Sequence, residues 1–172
     1  MPFGSGLNTL SNLPFLDFRR IKWSVCSDAS SSDCLTPKGF TFMRVLLTPD
    51  SSSSTAVYAD FYNLHADAGT EPADNTARQS NINQVASYIT THSAGNAVLI
   101  FGDTNSRYSR TVDTAIRGLL ASGHTDPWVE FQRNNIPPTA ETFCSNPSTT
   151  DACETVDKIF YRHQPPDRKS VV

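Results

Sequence analysis

Two apolar stretches, Ala56 to Tyr62 and Ala97 to Phe101, flank a segment with helical periodicity, and each runs directly into a polar cluster. No other feature of the chain constrains its fold as much. Ile82, Val85, Ala86 and Ile89 stand at i, i+3, i+4 and i+7, the stripe of an amphipathic helix. The turn residues Gly69-Thr70-Glu71-Pro72 precede it, Thr76-x-x-Gln79 reads as a capping box, and Gly95 ends it. A strand, a helix and a second strand make a crossover unit whose strands run parallel. Their carboxyl ends then share one edge, so the residues that follow each strand face one crevice.

The remaining pattern surrounds this unit. A short strand is expected at Ile21 to Val25 and a buried one at Phe40 to Leu47, where β-formers dominate. Phe40–Leu47 and Ala56–Tyr62 are expected to pair as a hairpin, with Pro49-Asp50 and Ser51 to Ser54 as the loop tip. A second helix is predicted from about Thr111 to Ala121, with Val112, Ile116, Leu119 and Leu120 on one face and Gly123 as its stop. Asn134 to Ser148 is turn-rich, and Thr155 to Tyr161 is the last strand. With 172 residues and no internal repeat, this is one domain of mixed α and β structure.

Fourteen Lys and Arg stand against 17 Asp and Glu, a net charge of −3, which excludes a broadly basic nucleic-acid binder but not a local basic cleft. No apolar run approaches the roughly 18 residues of a membrane span, and the N-terminus lacks the pattern of a secretory signal. Four cysteines fall into two close pairs, Cys26/Cys34 and Cys144/Cys153, each bracketing a polar loop. Neither pair has the two-residue spacing of a zinc knuckle or redox motif. Two local disulfides are the preferred reading and free thiols the alternative. Disulfides imply an oxidising compartment, hence a secreted protein.

Three polar clusters matter for chemistry: Asn63-Leu64-His65, Asp103-Thr104-Asn105, and Glu154 to Arg162 with Asp157 at its centre. Singly they say little, since a strand-end histidine is often structural and Asp-x-Asn after glycine is often a turn. A shared strand edge would place a proton donor, a carboxylate and an amide within reach of one substrate. The chain has no Gly-x-Ser-x-Gly elbow, no Walker loop, and no Asp-x-His motif of the paired-metal phosphatases.

These residues resemble the endonuclease/exonuclease/phosphatase (DNase I-like) superfamily. Asn63-x-His65 is similar to its first histidine motif, Gly102-Asp103-Thr104-Asn105 to its Gly-Asp-x-Asn motif, and Asp157-Lys158-Ile159 to its later Asp-x-Ile strand. The resemblance is strongest over residues 38–162, and its wording is closest to fungal, secreted members. It implies a four-layered α/β sandwich, two mainly antiparallel sheets with helices outside. It also implies hydrolysis of a phosphate ester, usually a phosphodiester of a nucleic acid (nuclease-like) or a phospholipid (sphingomyelinase-like), with Mg²⁺ or another divalent cation. By resemblance His65 is the general acid and Asp103 orients or activates the attacking water. Asn105 holds that water or a phosphate oxygen, and Asp157 orients a second histidine. Asp103 and Asn105 are also the metal-side residues, and Asn63 and Arg78 are candidate substrate contacts. For Arg78 a solvent-facing helix arginine is the equal alternative. Such groups suit a reaction that must stabilise charge on phosphate and deprotonate a water.

Two family elements find no match. The metal-binding glutamate lies on an early strand, whereas the first glutamate here is Glu71; and no Ser-Asp-His motif follows Arg162. His163 lies too close to Asp157 on the same strand to replace that histidine. The chain thus reads as one partial domain over 1–172, cut at both ends, monomeric, and weak or inactive by itself. Alternatives are a phosphomonoesterase of the inositol-phosphate type and a non-catalytic secreted interaction module. A lipid substrate would call for an exposed aromatic loop, for which Trp23, Trp128 and Phe131 are candidates, with core burial as the default. His92 and His124 read as surface histidines.

Overall fold

In Gly39–Leu46 aromatic and branched residues alternate with smaller ones, and all but Arg44 are buried, which makes this the inner strand of a sheet. The computed structural model describes residues 4–30, 32–48, 56–142, 144 and 150–163. Its elements are β1 (Phe15–Lys22), β2 (Gly39–Leu46), β3 (Tyr58–His65), α1 (Pro72–His92), β4 (Ala97–Asp103), α2 (Thr114–Ala121), α3 (Pro127–Arg133) and β5 (Asp157–Arg162). They form one five-stranded sheet in the order β1-β2-β3-β4-β5. β3 and β4 are parallel and the other neighbours antiparallel. This is the α/β class expected. Among the described residues there is one such sheet rather than the two implied by the resemblance.

Strand periodicity gives the sheet two faces. Phe40, Phe42, Tyr62, Leu64, Val98, Ile100 and Phe160 point to one of them and pack with Ile82, Val85 and Ile89 of α1, Ile116 and Leu119 of α2, and Val129 of α3. Full burial of each such side chain contributes about 1.5–3 kcal/mol, so this interface dominates the stability of the fold. The other face carries Phe61, Leu99, Phe101 and Ile159, the last 51% exposed. The N-terminal segment crosses it: Thr9 Oγ1 meets Thr41 Oγ1 at 3.4 Å, and Asn63 Nδ2 donates to the Asn8 carbonyl at 3.2 Å.

The hairpin of β2 and β3 forms as expected, its Ser-rich tip at 49–55 lying outside the described residues. The first strand runs over Phe15–Lys22 rather than Ile21 to Val25, because β1 is an edge strand with both faces largely exposed and needs no alternating hydrophobic pattern. α1 starts four residues before Thr76. Its N-cap is Glu71, Pro72 is its first residue, and Asp74 closes the capping box by accepting from the Glu71 N–H at 3.1 Å. Thr76 instead bonds back to the Pro72 carbonyl at 2.9 Å. α2 begins at Thr114, so Val112 precedes it and is half exposed. α3 lies where no helix is expected, although Asp126-Pro127 carries the N-cap and N1 signature: Asp126 accepts from the Trp128 N–H at 2.9 Å.

Candidate active site

The crossover β3-α1-β4 brings the two polar clusters to one edge. His65 and Asp103 are register partners on β3 and β4, and Asp103 and Asp157 are partners on β4 and β5. The three side chains therefore stand in one rank across three adjacent strands, all on the face away from the helices, since Leu64, Ile100 and Phe160 define the other. His65 Nε2 lies 3.8 Å from Asp103 Oδ2, with the two side chains about one third exposed. Asn63 is two residues before His65, on the same face.

Gly102 makes this rank possible. Its φ is +126°, and a Cβ there would collide with the Leu64 carbonyl. Only glycine lets β4 approach β3 closely enough to set Asp103 beside His65. Beyond it the chain reverses in an Asx turn: Asp103 Oδ1 accepts from the Asn105 N–H at 2.8 Å, and Asn105 sits at φ 49°. Asn105 Nδ2 then donates to the Ala66 carbonyl at 3.1 Å, and the Ala66 N–H to the Asp103 carbonyl at 2.9 Å. The histidine and Asp-x-Asn loops are thus bonded to each other. On its other side His65 Nδ1 lies 3.0 Å from the Ser5 carbonyl, an acceptor, which leaves Nε2 as the nitrogen facing the carboxylate.

A buried polar layer supports the loop after Asp103. Thr104 Oγ1 donates to the Val156 carbonyl at 2.6 Å. The Glu154 carboxylate accepts from the Tyr108 N–H, from Ser109 Oγ at 2.8 Å and from Lys158 Nζ at 2.9 Å. Burial raises the Glu154 carboxyl, but Lys158 and these donors outweigh it and hold it below its ordinary value; burial lowers the Lys158 ammonium, with Glu154 opposing. Lys158 Nζ also lies 4.4 Å from the Tyr108 ring centroid.

Arg78 is neither open to a substrate nor facing solvent. It is fully buried, and its donors reach Asp113 Oδ1 at 3.0 and 2.9 Å, the Gly69 carbonyl at 2.8 Å and Asn75 Oδ1 at 2.5 Å. The local sequence holds no sign of this, because Asp113 is 35 residues away. His124 is likewise buried rather than on the surface, with Nδ1 3.2 Å from the Leu119 carbonyl and a pKa lowered by burial and by Arg162. Trp23 is buried and Trp128 partly so, whereas Phe131 is 75% exposed. Cys26–Cys34 and Cys144–Cys153 are disulfides, with Cα atoms 5.4 and 6.0 Å apart.

Comparison with known proteins gives this arrangement a context. The model of Endonuclease/Exonuclease/phosphatase family 2 matches residues 18–135. The "Sphingomyelinase" proteins of Mycobacterium tuberculosis and Mycobacterium bovis are 38% identical over 162 residues, 94% of this chain. The chain spans 30% of the length of these curated relatives. Among solved structures, sphingomyelinase C from Streptomyces griseocarneus superposes with a TM-score of 0.57 at 16% identity, covering 91% of this chain and 53% of its own. A mutant of Staphylococcus aureus beta toxin, crystallised with bound magnesium ions, gives 0.56 at 14% identity, with 95% and 58% covered. The β3-α1-β4 unit with its ranked His65 and Asp103 lies within the matched region, and the chain belongs to the endonuclease/exonuclease/phosphatase family.

Proposed function

We propose that this chain carries the reacting rim of a phosphodiesterase, on one observation above all: His65, Asp103 and Asp157 stand in one rank on the sheet face away from the helices. A water attacks phosphorus and gives its proton to Asp103, while protonated His65 passes the proton on Nε2 to the departing oxygen. Asn105, whose Nδ2 is engaged by Ala66, keeps its carbonyl oxygen for the water. Asn63 stands on the same face with its Nδ2 held by the Asn8 carbonyl, and Asp157 completes the rank on β5.

Among the described residues no three His, Cys, Asp or Glu side chains converge as a metal cage. Asp103 and Asn105 are hard oxygen donors. They suit Mg²⁺, which takes one or two carboxylates and completes its shell with waters and phosphate oxygens. When bound, the ion would neutralise charge developing on the phosphate.

The proposed substrate is a phosphodiester. The sphingomyelinase relatives put a sphingolipid first, and Phe131, exposed on α3, is an aromatic available for lipid contact. No helix among the described residues is long and apolar enough to cross a membrane. Two disulfides fit an oxidising, extracellular setting, and a monomer is proposed.

The test is hydrolysis of bis(p-nitrophenyl) phosphate and of sphingomyelin vesicles with Mg²⁺, with a chelator, and with His65→Ala. Hydrolysis abolished by the chelator, restored by Mg²⁺ and reduced about a hundredfold or more in the variant upholds the proposal. Equal rates in the wild type and His65→Ala would overturn it. Binding without turnover points to the interaction module.

A further inference from the structure

A strand end at an open rim frays unless its backbone polar groups find partners. β3 ends at His65, and each backbone group named below is held. The His65 carbonyl accepts from Trp23 Nε1 at 2.7 Å. The Ala66 carbonyl accepts from Asn105 Nδ2 and from Lys38 Nζ, the latter at 3.4 Å. The Asp67 N–H donates to Asn81 Oδ1 at 2.9 Å and the Ala68 N–H to Asp33 Oδ2 at 2.6 Å. The Asp67 carboxylate in turn accepts from the Ser27 N–H at 2.9 Å.

Two of these partners, Ser27 and Asp33, lie in the loop that the Cys26–Cys34 disulfide closes, and Trp23 stands three residues before it, its backbone N–H donating to the Lys38 carbonyl at 3.2 Å. The loop is anchored in its turn. Asp33 pairs with Lys38 at 2.8 Å, both side chains nearly buried, and Asn81 Nδ2 donates to the Val25 carbonyl at 2.9 Å. The Trp23 ring is 5% exposed and lies 5.2 Å from that of Phe40. A rigid indole N–H aimed at a carbonyl fixes the peptide plane that follows the histidine.

We infer that Trp23, packed on Phe40 beside the disulfide-closed loop, is a positioning residue for His65: it sets the direction in which the imidazole leaves the strand end. The catalytic consequence rests on the phosphodiesterase reading, but the placement of the ring is measurable without turnover.

Trp23→Phe keeps an aromatic ring against Phe40 and removes the N–H. Carbon-correlated proton spectra of the histidine rings, with His65→Gln assigning one signal, report placement. The His65 signal should move in Trp23→Phe while those of His92 and His124 stay. Amide exchange at Ala66 and Asp67 should quicken about tenfold or more while that of Leu64 does not. With bis(p-nitrophenyl) phosphate, kcat should fall about tenfold at nearly constant KM, a split that a merely structural role would not produce. An unmoved His65 signal in folded Trp23→Phe overturns the inference, and so does a shift of every histidine, which marks general loosening. A moved His65 signal in a chain whose wild type shows no turnover upholds the placement, which is read without catalysis. If Trp23→Phe does not fold, Cys26→Ser/Cys34→Ser releases the same loop and is read by the same signals.

Discussion

His65 and Asp103 are register partners on parallel strands, with Nε2 and Oδ2 3.8 Å apart, although 37 intervening residues, mostly helix, separate them in the chain. The spacing is too long for a hydrogen bond, and it leaves a carboxylate and an imidazole free to act on a group that reaches both. This relationship generates the first prediction.

Asp103→Asn keeps an oxygen for the Asn105 N–H and so preserves the Asx turn, but removes the proton acceptor. Hydrolysis should fall about a hundredfold or more with little change in melting temperature. Asp103→Ala should lose activity and also about 1 kcal/mol of stability, because the Asn105 N–H loses its partner. Steady-state kinetics and thermal melts on both variants separate the two effects.

Arg78 and Asp113 form an ion pair with both side chains fully buried. Arg78→Met removes the nearer of the carboxylate's two guanidinium partners, leaving it the Arg107 N–H at 2.9 Å and Arg110 at 3.7 Å, and should cost about 3 kcal/mol, read as a lower urea midpoint. Arg78→Met/Asp113→Leu should regain part of that loss. An unchanged midpoint in the single variant would show that the pair is not what holds α1 to the loop before α2.

His124 supplies a pH signature. Burial first, and Arg162 second, hold its pKa below the ordinary 6.5. The unfolded chain therefore takes up a proton near 6.5 that the folded chain refuses. Its contribution is complete above 6.5 and is lost as pH falls from there through the lowered value. The melting temperature should drop as pH is lowered through this window. His124→Asn, whose amide can still donate to the Leu119 carbonyl, should flatten that slope.

Glu154→Gln leaves the buried Lys158 ammonium without its counter-charge and removes an anionic anchor for the Tyr108 and Ser109 N–H groups. A loss of about 3 kcal/mol in urea unfolding is expected, together with faster amide exchange across residues 104–110. Lys158→Met added to Glu154→Gln should restore part of the stability.

Much of the polar rim at the strand ends is legible in the chain because it depends on local pattern. The apolar period of α1, the strands on either side and the right-handed crossover rule together force His65 and Asp103 to one edge. Gly102 before Asp103 marks the close strand approach, and two short cysteine spacings mark two local loops. Sequence pattern misjudges Thr76 as a cap because Glu71, Pro72 and Asp74 form a competing start one turn earlier, and helix ends respond to whichever cap is better bonded. What only the tertiary structure decides are the long-range partners: Asp113 for Arg78, the Leu119 carbonyl for His124, and the His65 carbonyl for Trp23. An isolated arginine, histidine or tryptophan carries no mark of its distant partner. Burial makes each partner necessary, because a buried polar group costs free energy until it is bonded, and burial is known only once the whole sheet and its helices have packed.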